Sequence, residues 1–283
     1  VPELPEVETV RRGLAANVVG RLVERVEIGR ERTVRRTSAV EVVQGLTGST
    51  IVAAERRGKY LICPLDTGRA VMIHLRMSGQ LLVAPAGALR PPHTHVVAHL
   101  APSPERAAEE LWFVDPRTFG EVVVFDPAHP GERVPELERL GIDPVADPFD
   151  RSALRRLVLG RRRRLKALLL DQHVIAGIGN IYSDEILHRA RLRPDRVSNS
   201  LHGREITRLH AAIHEVLLAA IETGGSTLRD AQYVDVTGTS GAYQAYHRVY
   251  GRAGQRCLTC GRGTVVSETV AGRTTQYCPR CQR

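Results

Sequence analysis

Lysine is nearly absent from this chain. Of 40 basic residues, 38 are arginine, and only Lys59 and Lys166 are lysine. Arginine serves as well for charge and better for bidentate phosphate contacts, but it does not replace a compact ammonium or an amine that must lose its proton. The two lysines are therefore candidate functional positions, the alternative being survival by chance. Also missing is any uncharged apolar run near the ~20 residues that span a bilayer, which excludes a helical membrane protein. The amino end opens on Glu3, Glu6 and Glu8, not on a basic region followed by an apolar block, so no secretory signal is expected. Five cysteines in 283 residues are too few for a disulfide-stapled miniprotein. A composition 42% hydrophobic and 25% charged excludes a disordered chain.

What the chain does carry is an uneven charge. The net is +9, yet residues 1–150 hold 18 Lys+Arg against 21 Asp+Glu, a net of −3, and residues 151–283 hold 22 against 10, a net of +12. A basic half joined to a slightly acidic half points to a polyanionic partner, nucleic acid first. A solvated charged face or an arginine-rich genome would give the same count. The length leaves room for two or three domains.

The periodicity changes along the chain. A first helix is signalled by Pro5, with Glu6 and Glu8 in its first turn and Val7, Val10 and Leu14 on one face. Short β-rich runs follow at 22–28, 50–55, 60–65, 70–75, 95–100, 111–114 and 121–125, and predict a β-sandwich or barrel. Residues 84–93 and 101–108, rich in Ala and Pro, predict surface loops. A linker at 143–150 (DPVADPFD) leads into helical patterns. Asp150 or Ser152 caps a short helix ending near Gly160, residues 165–171 form another, and GIGN at 177–180 is a tight turn. Residues 205–222 form an amphipathic helix with Ile206, Leu209, Ile213, Leu217 and Ile221 on its apolar face, stopped by Gly224–Gly225. Residues 235–254, polar and Gly-rich, predict a loop. The expected organisation is a domain over 1–142, a linker over 143–150, a helical domain over 151–246 and a finger over 247–283.

Four of the five cysteines form Cys257-x2-Cys260 and, after seventeen residues, Cys278-x2-Cys281. This spacing suits a tetrahedral four-thiolate zinc site on a β-hairpin. Two disulfides are the alternative, disfavoured without an export signal. With all four positions filled by protein, the metal would be structural and would supply folding energy to a segment with little core. Cys63, inside a strand pattern, reads as a small buried hydrophobe.

Seven motifs, taken together, resemble those of the bacterial formamidopyrimidine-DNA glycosylases. They are PELPEVE at 2–8, RRGKYL at 56–61, HLRMSG at 74–79, DPRTFG at 115–120, GIGNIYSDE at 177–185, VYGRAG at 249–254 and GRTTQYC at 272–278. They stand in that family's order and span nearly the whole chain. The resemblance implies an α+β multidomain protein: an N-terminal β-sandwich, a helix–two-turn–helix domain and a C-terminal four-cysteine zinc finger. It implies duplex DNA bound across the cleft between domains and one structural Zn2+. It further implies a monomeric, cytoplasmic enzyme that excises oxidised purines such as 8-oxoguanine and formamidopyrimidines, then nicks the strand as an AP lyase.

The family's nucleophile is the amine of an N-terminal proline, matched here by Pro2. An α-amine has a pKa near ~8 against ~10.4 for a lysine side chain, so roughly one in ten is neutral at pH 7 against fewer than one lysine in a thousand. A secondary amine attacking the sugar C1′ gives an iminium whose permanent charge is an electron sink for β- and δ-elimination. Val1 precedes Pro2, and an acylated proline nitrogen cannot attack. Val1 is therefore expected to stand for a GUG start codon, read as formyl-Met and trimmed because a small residue follows.

Glu3 matches the general acid/base and Glu6 a supporting group. Lys59 matches a catalytic lysine on the flanking phosphate, and Lys166 a DNA-binding lysine near the lesion. His74, Asn180 and Arg273 match groups that, with Lys59, pinch the lesion strand, Arg273 also assisting catalysis. Met77, Arg117 and Phe119 match the side chains that fill the stack when a nucleotide is rotated out. Thr118 stands where a second basic residue is frequent. The loop at 235–248 matches a lesion-capping loop in position only, with Tyr243 as its one candidate. Close alternatives are the sister group that acts on oxidised pyrimidines, which Leu4 disfavours, and a DNA-binding homologue without catalysis. A zinc-ribbon transcription or RNA-binding protein would explain the finger and charge but not PELPEVE or the two lysines.

Overall fold

A computed structural model describes residues 2–228 and 233–283. Val1, on which the start-codon expectation bears, lies outside the described residues. Contacts divide the chain into two compact units, Val1–Arg139 with Gly224–Ala242, and Leu140–Thr223 with Tyr243–Arg283.

In the first unit α1 (Leu4–Asn17) carries Pro5 in its first turn, where a missing N–H costs nothing. Val7, Val10 and Leu14 are buried, as their spacing predicts. The chain continues through β1 (Val23–Ile28), α2 (Ala39–Leu46), β2 (Glu55–Arg57), β3 (Tyr60–Pro64), β4 (Ala70–His74), β5 (Gln80–Pro85), β6 (Thr94–Leu100), β7 (Glu109–Val114), β8 (Glu121–Phe125) and the short α3 (Glu136–Arg139). The strands form two four-stranded antiparallel sheets, ordered β1-β6-β7-β5 and β2-β3-β4-β8. Val26, Val96 and Phe113 of the first sheet share one core with Leu61, Ile73 and Val122 of the second and with the apolar face of α1. Two stacked antiparallel sheets with a common core make a sandwich.

Two strand expectations need correction. Residues 50–54 are no strand: Ile51 N–H donates to Arg21 O (3.2 Å) and Val52 N–H to Pro64 O (2.9 Å), two different segments, so no ladder builds up. Conversely β5 begins at 80, ahead of the expected 84–93 loop. Its Leu81 faces the main core while Leu82 and Ala84 pack with Trp112 and Val97 on the other face, so the alternation that announces a strand is missing. Helix α2, which was not expected from the sequence, opens on the Ser38-x-x-Glu41 capping box, whose reciprocal bonds are 2.8 and 3.1 Å.

The second unit holds α4 (Arg151–Leu159), α5 (Leu165–Leu170), α6 (Asn180–Ala190), α7 (Gly203–Glu222) and the hairpin β9 (Val266–Val270)–β10 (Arg273–Tyr277). Asp150 caps α4 by accepting from Ala153 N–H at 2.7 Å. All five residues expected on the apolar face of α7 are buried. Helix α6 packs on α7, α5 and β10. The 143–150 stretch is packed rather than a free tether: Asp143 Oδ1 accepts from Val145 and Ala146 N–H at 3.0 Å, and Phe149 is buried against His210 and His214.

Sequence order attaches residues 224–242 to the helical stretch, whereas their contacts group them with the sandwich. Tyr233 and Val236 are buried in its core, and Val83 N–H donates to Val236 O at 2.8 Å. No described helix is long and apolar enough to cross a membrane.

Candidate functional site

The start of α1 is built into the first unit. Pro2 is buried, and Glu3, Glu6 and Glu8 are 3%, 1% and 7% exposed. Such carboxylates are tolerated only with partners. Glu6 spans two segments: Oε2 accepts from Glu3 N–H (2.8 Å) and Oε1 from Ser226 N–H (2.7 Å). Gly225 has φ 78°, and a Cβ there would stand 2.7 Å from Glu6 Oε1, so only glycine lets this return segment close on the helix start. Tyr233 seals it, its hydroxyl donating to Gly224 O at 2.9 Å. Glu8 is held by Arg11 (2.9 Å), Arg12 (3.0 Å) and Arg56 (3.1 Å). Arg11 contributes most to holding its carboxyl below the usual range against the opposing effect of burial.

Arg56 carries that anchorage to Lys59. Its Nη1 donates to Gly58 O at 2.9 Å, and Gly58–Lys59 form the two-residue turn between Arg57 and its partner Tyr60. Gly58 has φ 57°, the value such a turn demands at its first central position. Lys59 is thus presented, half-buried, on a short rigid hairpin.

On the adjacent strand His74 is buried, edge-on to Tyr60 with centroids 4.4 Å apart. Burial drives its pKa well below the ordinary value, and Arg76, Lys59 and Arg36 add to the effect. Arg76 N–H donates to Nδ1 at 2.9 Å, so the neutral ring carries its proton on Nε2. A group whose folded pKa is depressed contributes stability above its unfolded value and loses it as pH falls. The fold should lose stability below pH ~6.5 by up to about 1.4 kcal/mol per pH unit from this residue. Thermal unfolding of His74→Gln should show a shallower acid slope than the parent; equal slopes would contradict the assigned neutral ring.

Two turns display the three expected wedge residues. Met77 and Phe119 are 40% and 44% exposed, and Arg117 Nη1 lies 3.9 Å from Met77 Sδ. The turns are tied by Asp115, which is fully buried. Its Oδ1 accepts from Ser78 Oγ (2.5 Å) and Arg117 N–H (3.2 Å), and its Oδ2 from Gly120 N–H (2.7 Å). Arg35 donates to the carbonyls of Phe119 (3.2 Å) and Gly120 (3.3 Å), fixing the second turn from outside. Asp115 was not singled out in the sequence, although Asp followed two residues on by a backbone donor is a turn signal.

In the second unit Lys166 does not stand where a DNA contact would need it. Its ammonium is wholly buried, bonded to Asp184 Oδ1 (2.5 Å) and Asn180 O (3.2 Å). Burial pushes the Asp184 carboxyl up to about 6, with Lys166 opposing. Asn180 opens α6 after Gly179, its Nδ2 donating to Thr274 O at 3.0 Å, and Arg273 is exposed at the start of β10. The structure therefore brings Asn180 and Arg273 onto neighbouring elements. Tyr243 is buried, its ring centroid 5.7 Å from that of Tyr182. Also missed were Asp184 and Glu185, whose signal was two adjacent acids flanked by Ile181, Tyr182, Ile186 and Leu187.

The four Sγ atoms lie within 4.8 Å of one another, with 3.7 Å between Cys257 and Cys281 and 3.9 Å between Cys260 and Cys278. A sulfur–sulfur bond is about 2.05 Å, so these are not disulfides. The edge of a tetrahedron with ~2.3 Å zinc–sulfur bonds is about 3.8 Å, which the site fits. Backbone N–H groups of Arg262 and Gly263 bring the Cys260 thiol down, whereas burial raises those of Cys278 and Cys281, so a metal bound here would have to displace protons. Cys63 is buried, its thiol pushed up to about 12, as a core residue.

The family profile described as Formamidopyrimidine-DNA glycosylase N-terminal domain matches residues 1–122, and the profile described as Formamidopyrimidine-DNA glycosylase H2TH domain matches residues 140–232. A formamidopyrimidine-DNA glycosylase of Carboxydothermus hydrogenoformans is 39% identical over 283 residues, covering 100% of both chains. One of Salinispora arenicola is 43% identical over 284 residues, covering 100% of this chain and 96% of its own. Among solved structures, the Lactococcus lactis Fpg in complex with abasic-site DNA gives a TM-score of 0.89 at 35% identity over 99% of each chain. The MutM (Fpg) protein of Thermus thermophilus gives 0.86 at 40% identity, over 99% of this chain and 98% of that one. Agreement of sequence and fold runs from one end of the chain to the other, and the protein belongs to the formamidopyrimidine-DNA glycosylase family.

Proposed function

We propose that this protein is a base-excision repair glycosylase and AP lyase for oxidised purines in duplex DNA. The observation that carries the reading is the display of Met77, Arg117 and Phe119. Two large apolar side chains, 40% and 44% exposed beside an arginine, sit on turns locked by a buried carboxylate. Rigid apolar wedges held in water suit insertion between base steps, with Arg117 hydrogen-bonding the base left behind.

In this reading Pro2, freed of residue 1, attacks C1′ of the extruded nucleotide. The purine leaves, and an iminium forms with the sugar. Glu3 protonates the ring oxygen as the ring opens and then moves protons during β- and δ-elimination. Glu6 holds the Glu3 backbone and hence the nucleophile's approach. Lys59, the Nε2–H of neutral His74, Asn180 and Arg273 meet phosphate oxygens of the lesion strand. Lys166 acts from inside, by fixing Asn180. Zinc held by Cys257, Cys260, Cys278 and Cys281 supplies a rigid four-thiolate crosslink for the hairpin that bears Arg273. The enzyme works as a monomer in the cytoplasm, where the chromosome lies.

Excision assays on duplexes carrying 8-oxoguanine opposite cytosine and thymine glycol opposite adenine test the substrate class; preference for thymine glycol overturns it. Borohydride should trap a covalent adduct, and its absence would leave a DNA-binding homologue. Lys59→Ala should slow single-turnover excision at least about tenfold with the fold intact by circular dichroism, because it removes a charge acting on the flanking phosphate. Affinity should fall steeply with added salt, through release of counterions from several phosphates.

A further inference from the structure

We infer that Asp184 and Glu185, successive buried carboxylates of α6, place the four-cysteine hairpin on the helix that carries Asn180, and that the metal folds this hairpin without placing it. The inference rests on the nucleic-acid reading above.

The two residues are 1% and 2% exposed. Neighbours on a helix point about 100° apart, so each addresses a different part of the hairpin. Asp184 Oδ2 accepts from Gln276 N–H at 2.9 Å, on β10, while Oδ1 takes the Lys166 ammonium. Glu185 Oε1 accepts from Arg248 (3.0 Å), Val249 (2.9 Å) and Tyr250 (2.8 Å) N–H, and Oε2 accepts from Arg248 N–H at 2.9 Å. One carboxylate thus binds the chain before Cys257 and the other binds it just before Cys278. All four thiolates belong to residues 257–281, so metal bonds close the hairpin on itself. Asn180 lies one turn before Asp184, on the same helix face, and its amide reaches Thr274 O. Asn180 and Arg273 therefore share one scaffold, fixed by the two acids along with the Gln282 Nε2 to Leu192 O bond (2.8 Å) and the contact of Cys257 Sγ with His188 Nε2 (3.7 Å). Buried carboxylates filled by backbone N–H donors are rigid anchors, because every lost bond strands a donor or a charge.

The test uses the full-length, metal-loaded protein and a duplex containing a tetrahydrofuran abasic analogue. In Glu185→Gln the amide turns one N–H2 toward backbone donors and the fork is broken. We expect one metal ion per chain to be retained while Kd for the duplex rises at least about tenfold, with single-turnover excision at saturating DNA changed less than about threefold. Metal retained with unchanged Kd overturns the inference, as does joint loss of metal and affinity. Should that variant fail to fold, a second pair decides. Both double variants lose the Lys166 contact to Asn180, so they are compared with each other: Lys166→Met with Asp184→Asn keeps an acceptor for Gln276 and should bind at least about tenfold more tightly than Lys166→Met with Asp184→Ala; equal binding by the two also overturns it. If the parent itself shows no preference for the damaged duplex, the proposed function fails instead, independently of these comparisons.

Discussion

Replacing Pro2 by glycine will remove most base excision, by at least about 100-fold, from a protein that still folds and still binds DNA. Two properties go together in the substitution. The proline ring locks rotation about the N–Cα bond and so aims the nitrogen lone pair along one direction, which glycine does not. A secondary amine also gives an iminium charged at every pH, whereas a primary amine gives an imine that must first be protonated. Pro2 is buried beside Glu3, whose backbone is held by Glu6, so the surroundings that orient the attack remain in the variant. Single-turnover excision on an 8-oxoguanine duplex, with intact mass to show whether residue 1 is present, measures the effect. Full activity in a chain whose proline is still acylated, or in Pro2→Gly, would remove the proposed nucleophile.

Removing one thiolate should have the second large effect. The hairpin's own core consists of Val249, Cys257, Val265 and Cys278, with Cys260 and Cys281 packed against it, so the ligands are themselves most of the core. A four-thiolate zinc site supplies roughly 10–16 kcal/mol of apparent folding energy in small domains, far more than so small a cluster can bury. Cys278→Ala should therefore release the metal, unfold residues around β9 and β10, and weaken DNA binding by at least about 100-fold through loss of Arg273 and of the Asn180–Thr274 contact. Chelation of the parent should reproduce the effect. Metal content by atomic spectroscopy and Kd on an abasic duplex report it; a metal-free variant with parental affinity would show that the hairpin takes no part in binding.

Much of this arrangement was legible because local rules and tertiary contacts agree. The α7 face from Ile206 to Ile221 follows a 3.6 period and is buried throughout. The cysteine spacing announced the thiolate cluster, because four soft ligands converge only if the chain turns between them. Reading failed where one segment serves two partners. Residues 50–54 look like a strand but divide their hydrogen bonds between two segments, and β5 is apolar on both faces and looks like neither strand nor helix. Lys166 shows the same limit in the site: its scarcity marked it for attention, but composition cannot say whether an ammonium faces a phosphate or a buried aspartate.

The amino-acid order by itself determined most element types, the four-cysteine cluster and the residues worth testing, since these depend on spacing of a few to twenty positions. Only the tertiary structure decided which carboxylates hold which loops. Glu6 meets Ser226 across 220 residues, and Glu185 meets the 248–250 turn across more than sixty. Such pairings are chosen because a carboxylate taken out of water must find donors wherever the folded backbone happens to supply them, and that supply exists only after the core has closed.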